Sequence, residues 1–395
     1  MESSRASDGQ TAPRVPVYLD HNATTPVDPA VIAAAVPYLT THFGNPSSGH
    51  RYGLVARQAV DEARQQTAGL VGCEPKELAF VGSGSEANNL ALRGAVLANA
   101  SPGRRTIVTQ TTEHPSVLAT CAALQRAGVC DVVVLDVDGH GRLDPEQARS
   151  AIDASTLLVS IQYANGETGT IQPIAELARL AHQQGALFHT DACQAVGKIS
   201  IDIALLEVDL LSLAGHKMYA PKGIAALVHR HEIGLDAITY GGGQEGGLRS
   251  GTENVPYIVG LGRASVLPKE NLVSEGERLR ALRDLLFDEL SARLTRAVRL
   301  NGHATSRLPN TLNISIDGVN GRALLAATPQ VAASTGSACH ASTGEPSGVL
   351  MAMRLSPERA VAAVRLTLGR TTTEADVRTA VDALVATIDK GIGDA

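Results

Sequence analysis

The chain has 395 residues, 44% hydrophobic and 19% charged, with a formal net charge of -6 at pH 7. It is longer than one hydrophobic core usually supports, so we expect two domains. There is no basic stripe, no apolar run of ~18 residues and no apolar signal segment, so we expect neither direct nucleic-acid binding nor membrane insertion.

Seven apolar runs predict strands at about 77–82, 106–110, 131–137, 157–162, 186–191, 209–214 and 224–229. They alternate with predicted helices at 55–69, 117–126, 144–154 and 174–184. This order predicts an α/β fold with a mostly parallel seven-stranded sheet in a large domain at 30–265.

After Thr252 the pattern changes to a long helix at 270–296, strands near Arg299 and at 310–316, and helices from Pro346 and Thr373. We expect a smaller α+β domain made of residues 15–29 with 266–395. The polar first 14 residues are expected to be a disordered tail.

Residues 77–93 suggest a strand, a Gly/Ser turn and a helix opening at about Ser85. Free N–H groups and the positive helix end would suit a phosphate. Gly82 and Gly84 lack the third glycine of a dinucleotide site. The alternative is a capped helix with Ser85 as N-cap.

Three later strands each end on a side chain that can do chemistry. His114 could stack on a flat ring and shuttle protons, or be a surface group. Asp191 could keep a pyridine nitrogen protonated, or cap the next turn. Lys217 stands 26 residues further on, a strand–crossover–strand distance. Its burial would expose a neutral amine able to form a Schiff base; the alternative is a solvated loop.

Together these features resemble a known family over residues 17–377. The sequence is similar to the cysteine desulfurases of the long-loop class, which belong to the class-V aminotransferases among the fold-type I pyridoxal-phosphate enzymes. The matching motifs lie at 18–26, 43–48, 82–89, 112–114, 189–194, 215–217, 241–245, 249–252, 336–339 and 364–370.

The resemblance implies the site residues. Lys217 would hold pyridoxal 5'-phosphate, Asp191 would pair with its ring nitrogen, Gln194 would contact its phenolic oxygen and His114 would stack on the ring. The phosphate would be bound by Gly84, Ser85, His216 and, from the partner subunit of a homodimer, Thr252. Asn45 and Arg365 would bind the substrate carboxylate, because a guanidinium can grip it with two bonds. No metal is implied.

Cys339 lies in a segment of small and turn-forming residues at 333–348, which predicts a mobile loop. In the implied reaction its thiolate attacks the sulfur of L-cysteine, leaving a persulfide on Cys339 and releasing L-alanine. The sulfur would pass to an acceptor protein. Iron–sulfur scaffolds, thiolated tRNA or cofactors, and sulfur-modified DNA reached through partner proteins are candidate destinations.

Three other functions stay open. A selenocysteine lyase would share the chemistry. An aminotransferase would leave Cys339 without a purpose, and a non-enzymatic sulfur-relay protein would need a broken site.

Two positions depart from the family pattern. Ala214 stands where many relatives have a serine in the phosphate cradle. Gly166 stands where relatives commonly have the second of two asparagines. Asn165 is not expected to replace it, since adjacent residues of an extended backbone point to opposite faces.

The five cysteines are Cys73, Cys121, Cys130, Cys193 and Cys339. They are odd in number and scattered, without a CxxC pair. This pattern argues against a disulfide framework or a zinc site and favours a cytoplasmic protein.

Overall fold

The computed structural model describes residues 15–268, 271–336 and 345–391. Cys339 and the predicted tail at 1–14 lie outside the described residues.

The strands form a large sheet and two smaller ones. In chain order they are β1 Val17–Tyr18, β2 Leu78–Val81, β3 Thr106–Gln110, β4 Asp131–Leu135, β5 Thr156–Ser160, β6 Leu187–Asp191, β7 Leu210–Ala214, β8 Ala225–His229, β9 Val298–Leu300, β10 Thr311–Ile316, β11 Val331–Ala332 and β12 Ala363–Thr367.

The large sheet has seven strands in the order β2-β8-β7-β6-β5-β3-β4. Pairs between β7 and β4 are parallel, while β8 is antiparallel to both β2 and β7. The predicted α/β fold with a mostly parallel sheet is therefore confirmed. The strand predicted at 131–137 ends at Leu135.

Helices accompany the strands along the chain. They are α1 Pro29–Thr40, α2 Arg51–Val71, α3 Gly84–Asn99, α4 Pro115–Arg126, α5 Pro145–Ala151, α6 Ile174–Gln183, α7 Ile203–Leu206, α8 Val255–Val266, α9 Leu272–Arg293, α10 Gly321–Ala327, α11 Gly348–Ala352, α12 Pro357–Val361 and α13 Glu374–Asp389. Several of these elements were not predicted from the sequence, α1, α8 and β12 among them.

Both faces of the large sheet are covered. Successive side chains of β7 point to opposite faces. Leu210 accordingly packs in a cluster with α3 and α4, and Leu211 in a cluster with α2, α6 and α8. Coverage of both faces explains why the central strands of the large sheet are continuous apolar runs.

The C-terminal part has its own apolar cluster. The antiparallel sheet β12-β10-β9 packs with α9 and α13, and Leu19 from the N-terminal segment joins this cluster. β1 also pairs in parallel with β11. The N-terminal segment thereby joins the C-terminal part first, at β1, and then runs past the end of β7, where Thr25 N–H donates to the carbonyl oxygen of His216.

Within the described part of the chain, no helix combines the length and apolarity needed to cross a membrane.

Candidate active site

The ends of β6 and β7 bring Asp191 and Lys217 to one edge of the sheet. The two strands are parallel neighbours, and Asp191 pairs with Ser212 in their register. A 3-10 turn, Gly215–Lys217, follows β7 directly. The turn is tight, because a Cβ on Gly215 would lie 3.0 Å from Ile224. The spacing of 26 residues between Asp191 and Lys217 therefore corresponds to two neighbouring parallel strands, as predicted.

Lys217 is held by main-chain oxygens. Its Nζ donates to the carbonyl oxygen of Ala23 at 2.8 Å and to that of Asn22. Burial lowers the pKa of Lys217 to about 8. The neutral, nucleophilic amine is therefore much more abundant at neutral pH than for an exposed lysine, at about a tenth of the molecules at pH 7.

Asp191 is buried and fixed through both oxygens. Asn88 of α3 donates to its Oδ2 at 2.7 Å, and the N–H of Cys193 donates to its Oδ1 at 2.9 Å. The same Asn88 amide donates to Ser116 at 2.9 Å. Asp191 therefore caps the next turn, as the alternative interpretation has it, and is also a rigid carboxylate at the sheet edge.

His114 is the N-cap of α4, and Ser116 N–H donates to its Nδ1 at 3.1 Å. Desolvation lowers the pKa of His114, so its ring is neutral at neutral pH. A neutral ring that accepts at Nδ1 carries its proton on Nε2.

The helix after β2 begins earlier than predicted. Ser83, not Ser85, is the N-cap: its side chain accepts from Glu86 N–H at 3.1 Å. Gly84 and Ser85 then occupy the first two helical positions, whose N–H groups have no carbonyl within the helix. A Cβ on Gly84 would lie 2.7 Å from Cys193 Sγ, so the glycine is needed here.

The segment 241–252 is tied to this turn. Glu86 accepts from Gly82 N–H at 2.8 Å and from Arg249 Nε at 3.1 Å. Further back, Arg64 makes a bidentate ion pair with Glu245 at 2.7 and 2.8 Å. Thr252 is exposed at the end of the segment.

His216 lies beside the N-terminal segment, with Nδ1 3.2 Å from Thr24 Oγ1. Burial and the neighbouring lysines lower its pKa to about 4, so it is neutral. A neutral imidazole can still donate one hydrogen bond to a phosphate.

Asn22 is a buried centre of contacts that the sequence analysis missed. Its main-chain oxygen accepts from Lys217 Nζ and, at 3.0 Å, from Gln194 Nε2. Its Oδ1 accepts from Lys198 Nζ at 2.9 Å, and Lys198 also donates to Gln194 Oε1 at 2.8 Å. Asn22 and Asn88 lie within the motifs at 18–26 and 82–89, which was the available signal; Lys198 lies just beyond the motif at 189–194.

The two departures have structural consequences. Asn165 turns away from Gln194 and donates to the carbonyl oxygen of Thr112 at 3.2 Å. It therefore does not replace the side chain missing at Gly166, as predicted. Ala214 is buried next to Gly84 and presents only a methyl group there.

Arg365 and Asn45 lie on separate elements. Arg365, on β12, is buried and donates to Asp20 Oδ1 at 2.7 Å and to the carbonyl oxygen of Gly166 at 3.1 Å. Its buried Nε has no partner among the described residues. Asn45 is exposed between α1 and α2, where its Oδ1 accepts from Ser47 N–H at 2.9 Å.

Comparison with known proteins is consistent with this arrangement. A family model described as aminotransferase class-V matches residues 17–379. A cysteine desulfurase IscS of Dechloromonas aromatica is 43% identical over 380 residues, 95% of this chain and 93% of that protein.

Two solved structures are also similar. One, a NifS-like protein, has a TM-score of 0.89 and 33% identity and covers 95% of this chain and all of its own. The other, SspA in complex with cysteine, has a TM-score of 0.78 and 33% identity over 89% of this chain and 98% of its own.

The chain belongs to the class-V aminotransferase family. Within that family it is a cysteine desulfurase, and its cofactor is pyridoxal phosphate. The resemblance seen in the motifs is thereby confirmed. The roles of single residues stay predictions.

Proposed function

We propose that this chain converts L-cysteine to L-alanine with pyridoxal phosphate bound to Lys217, and that Cys339 takes the sulfur. The observation that carries the proposal is the buried Lys217 amine, with its pKa lowered to about 8, one strand away from the fixed carboxylate of Asp191.

The residues of the site fit this cofactor, which supplies an aldehyde for a lysine and a ring that accepts electrons. Lys217 offers the amine. Asp191, which is held in place by Asn88 and by the N–H of Cys193, would pair with the ring nitrogen. His114 would face the ring, and Gln194 has an amide for the phenolic oxygen.

The phosphate would bind at the start of α3. The N–H groups of Gly84 and Ser85, the imidazole of His216 and Thr252 of the partner subunit would supply donors. The Glu86–Arg249 contact lies within one chain and holds that chain's own segment 241–252 against the turn before α3. The proposal that Thr252 comes from the partner subunit therefore rests on the resemblance.

Arg365 would bind the substrate carboxylate, together with Asn45. Its unpartnered Nε is a buried donor that a carboxylate could satisfy. SspA, a similar protein, has been solved with cysteine, which supports L-cysteine as the substrate.

In the proposed reaction Lys217 moves the substrate's α-proton. The Cys339 thiolate attacks the substrate sulfur, the C–S electron pair stays with the substrate carbon, and a proton completes alanine. The sulfur remains on Cys339 as a persulfide. No external oxidant or reductant is needed.

We also propose a homodimer. Ile32, Val36 and Leu39 lie on one face of α1 and are 50, 46 and 59% exposed. Phe43 and Tyr52 continue this apolar surface, with ring centroids 5.5 Å apart. Such a contiguous patch is typical of a protein–protein interface, and a second copy covering it would bring a partner's residues near Asn45.

We also propose a division of the chain into two domains. A large domain at 30–265 and a small one from 15–29 with 266–395 are supported by the separate apolar cluster of the C-terminal part. We further propose that the sulfur passes to an acceptor protein, for which an iron–sulfur scaffold is a candidate. The proposed location is the cytoplasm. The four described cysteines are free, as a reducing compartment requires.

The test is to supply the purified, cofactor-loaded protein with L-cysteine and a thiol reductant and to measure alanine and sulfide. We expect equal amounts of both products, and neither from Lys217→Ala, which should also lose its visible absorbance. The exposed Lys222→Ala is the control and should retain both. Borohydride reduction and peptide mass spectrometry should place the cofactor on Lys217; its attachment elsewhere would overturn the assignment.

L-selenocysteine in a parallel assay distinguishes the alternative. Turnover of selenocysteine without turnover of cysteine would replace the desulfurase proposal with a selenocysteine lyase.

A further inference from the structure

Lys198 is a second enclosed amine beside Lys217, and the resemblance assigns it no role. Its Nζ donates to Gln194 Oε1 at 2.8 Å and to Asn22 Oδ1 at 2.9 Å. Lys217 donates to the main-chain oxygen of the same Asn22. The two lysines therefore approach one residue from its side chain and from its backbone.

These contacts fix which way the Gln194 amide points. Lys198 contacts only oxygen atoms, so it acts as a donor and requires Oε1 to face it. On the other side, Gln194 Nε2 donates to the carbonyl oxygen of Asn22 at 3.0 Å. Turning the amide by half a turn would set its oxygen against the carbonyl oxygen of Asn22, which loses that bond. It would also set its NH2 group against Lys198, and a protonated amine cannot accept from it.

Gln194 also stands alone in its role. Gly166 has no side chain, and Asn165 turns to Thr112. Among these neighbouring positions, the NH2 group of Gln194 is therefore the amide donor left on the Lys217 side.

We propose that Lys198 is a positioning residue that, through its hydrogen bond to Gln194, keeps the NH2 group of that amide directed toward Lys217 and toward the ring oxygen of the cofactor. The inference rests on the proposed function, because it requires the cofactor to be bound at Lys217.

The charged and titratable groups around Lys198 come from several elements. They are Lys217 and His216 after β7, Arg365 on β12, Cys193 on its own segment and His21 in the N-terminal segment. Burial and the charge of Lys217 lower the pKa of Lys198 well below its ordinary value. A neutral amine keeps two N–H donors for its two oxygen partners, and the bond from Gln194 Nε2 to the carbonyl oxygen of Asn22 opposes a turned amide in either charge state.

The test follows the visible absorbance of the cofactor-loaded protein as a function of pH. In Lys198→Met the Gln194 amide can turn, and the ring oxygen loses a donor and holds more negative charge. That charge favours a proton on the Lys217 nitrogen, so the pH midpoint should rise by about one unit, the usual size of a hydrogen bond to a charged group. Lys198→Arg keeps a donor, so its pH midpoint should lie close to that of the wild type.

A double-mutant cycle shows whether Lys198 acts through Gln194. Gln194→Leu should raise the midpoint in the same direction, and adding Lys198→Met should then shift it no further. Lys222→Met, which removes an exposed lysine shortly after Lys217, should match the wild type.

A wild-type midpoint in Lys198→Met, or additive shifts in the double variant, would overturn the inference. If Lys198→Met does not fold, as judged by circular dichroism, Lys198→Leu, which also has no donor, takes its place with the same expected shift. Failure of the wild type to bind pyridoxal phosphate at Lys217 would instead overturn the proposed function, so the two failures are distinguishable.

Discussion

Gln194 fills the space that a side chain at residue 166 would need. A Cβ built on Gly166 would lie 2.8 Å from Gln194 Nε2 and 3.2 Å from its Cδ and Cγ. The glycine at 166 thus makes room for the Gln194 amide, because a larger side chain at 166 and the amide in its present position would overlap.

Restoring the family's usual asparagine should therefore disturb the site. In Gly166→Asn the Gln194 side chain must leave its contacts with Asn22 and Lys198. We expect the free energy of unfolding of the cofactor-free protein to fall by about 1–2 kcal/mol, as for an overpacked site that loses hydrogen bonds. Urea unfolding measures it.

The control is Gly103→Asn, since a Cβ there would meet no atom within 4 Å. It should change the free energy of unfolding by less than about 0.5 kcal/mol. Equal stability of Gly166→Asn and the wild type would show that Gln194 has a second position of similar energy.

Much of the large sheet could be predicted from the sequence, because its strands are short apolar runs. Most of them are buried on both faces; the edge strand β4, with Val133 and Val134 exposed, is the exception. The helices that were missed had no such local signal. α1 carries apolar residues on its exposed face as well as its buried one, so its pattern is not that of a helix with one polar side. The reason for Gly262 in α8 is tertiary: a Cβ there would lie 2.6 Å from Ala63 Cα.

The site divides in the same way. Asp191 and Lys217 could be placed together because a strand spacing relates them. Asn22, Asn88 and Lys198 were missed, because each makes contacts with residues that are 103 to 289 positions away in the chain, such as Asn88 with Asp191 and Asn22 with Thr311. Ser83 could have been found: it stands three residues before Glu86, the spacing of a capping pair.

A second prediction concerns the stability of the cofactor-free protein. Burial lowers the pKa of Lys217 from 10.5 to about 8. Between these values the unfolded chain binds a proton that the folded protein has lost, so stability rises with pH there. The penalty of the buried charge is complete below about pH 8 and fades as the pH rises toward 10.5.

Between about pH 8 and pH 10.5 the wild type should accordingly gain stability relative to Lys217→Met, by on the order of 3 kcal/mol. Lys217→Met also leaves the carbonyl oxygens of Asn22 and Ala23 without this donor, a cost that does not vary with pH. Urea unfolding of both proteins across this range measures the gain, with Lys222→Met as the exposed control that should show no such trend. A difference independent of pH would contradict the lowered pKa.

A third prediction tests the support of Asp191. Asn88→Ala removes the donor to Asp191 Oδ2, 2.7 Å away, and leaves that buried oxygen unpaired. We expect the free energy of unfolding to fall by about 1–3 kcal/mol and pyridoxal phosphate to dissociate faster. Urea unfolding and the loss of visible absorbance after dilution measure the two effects.

Asn89→Ala is the matched control. Asn89 is the next residue of α3 and donates to the carbonyl oxygen of Ser85 at 2.9 Å, within its own helix. Asn89→Ala should change the free energy of unfolding and the dissociation of pyridoxal phosphate much less than Asn88→Ala does. Unchanged cofactor retention in Asn88→Ala would show that Asp191 does not need this support.

The last prediction separates binding at Lys217 from sulfur transfer by Cys339. In Cys339→Ala the described site residues are unchanged, so pyridoxal phosphate should bind and the absorbance should still respond to L-cysteine. Production of alanine and sulfide should collapse, because cleavage of the C–S bond needs an attacking thiolate. Cys193→Ala is the control: burial raises the pKa of Cys193 well above its ordinary value, so its thiol is protonated and not nucleophilic. Mass spectrometry after brief turnover should find the extra sulfur on Cys339 in the wild type; a persulfide on Cys193, or full turnover without Cys339, would reassign the nucleophile.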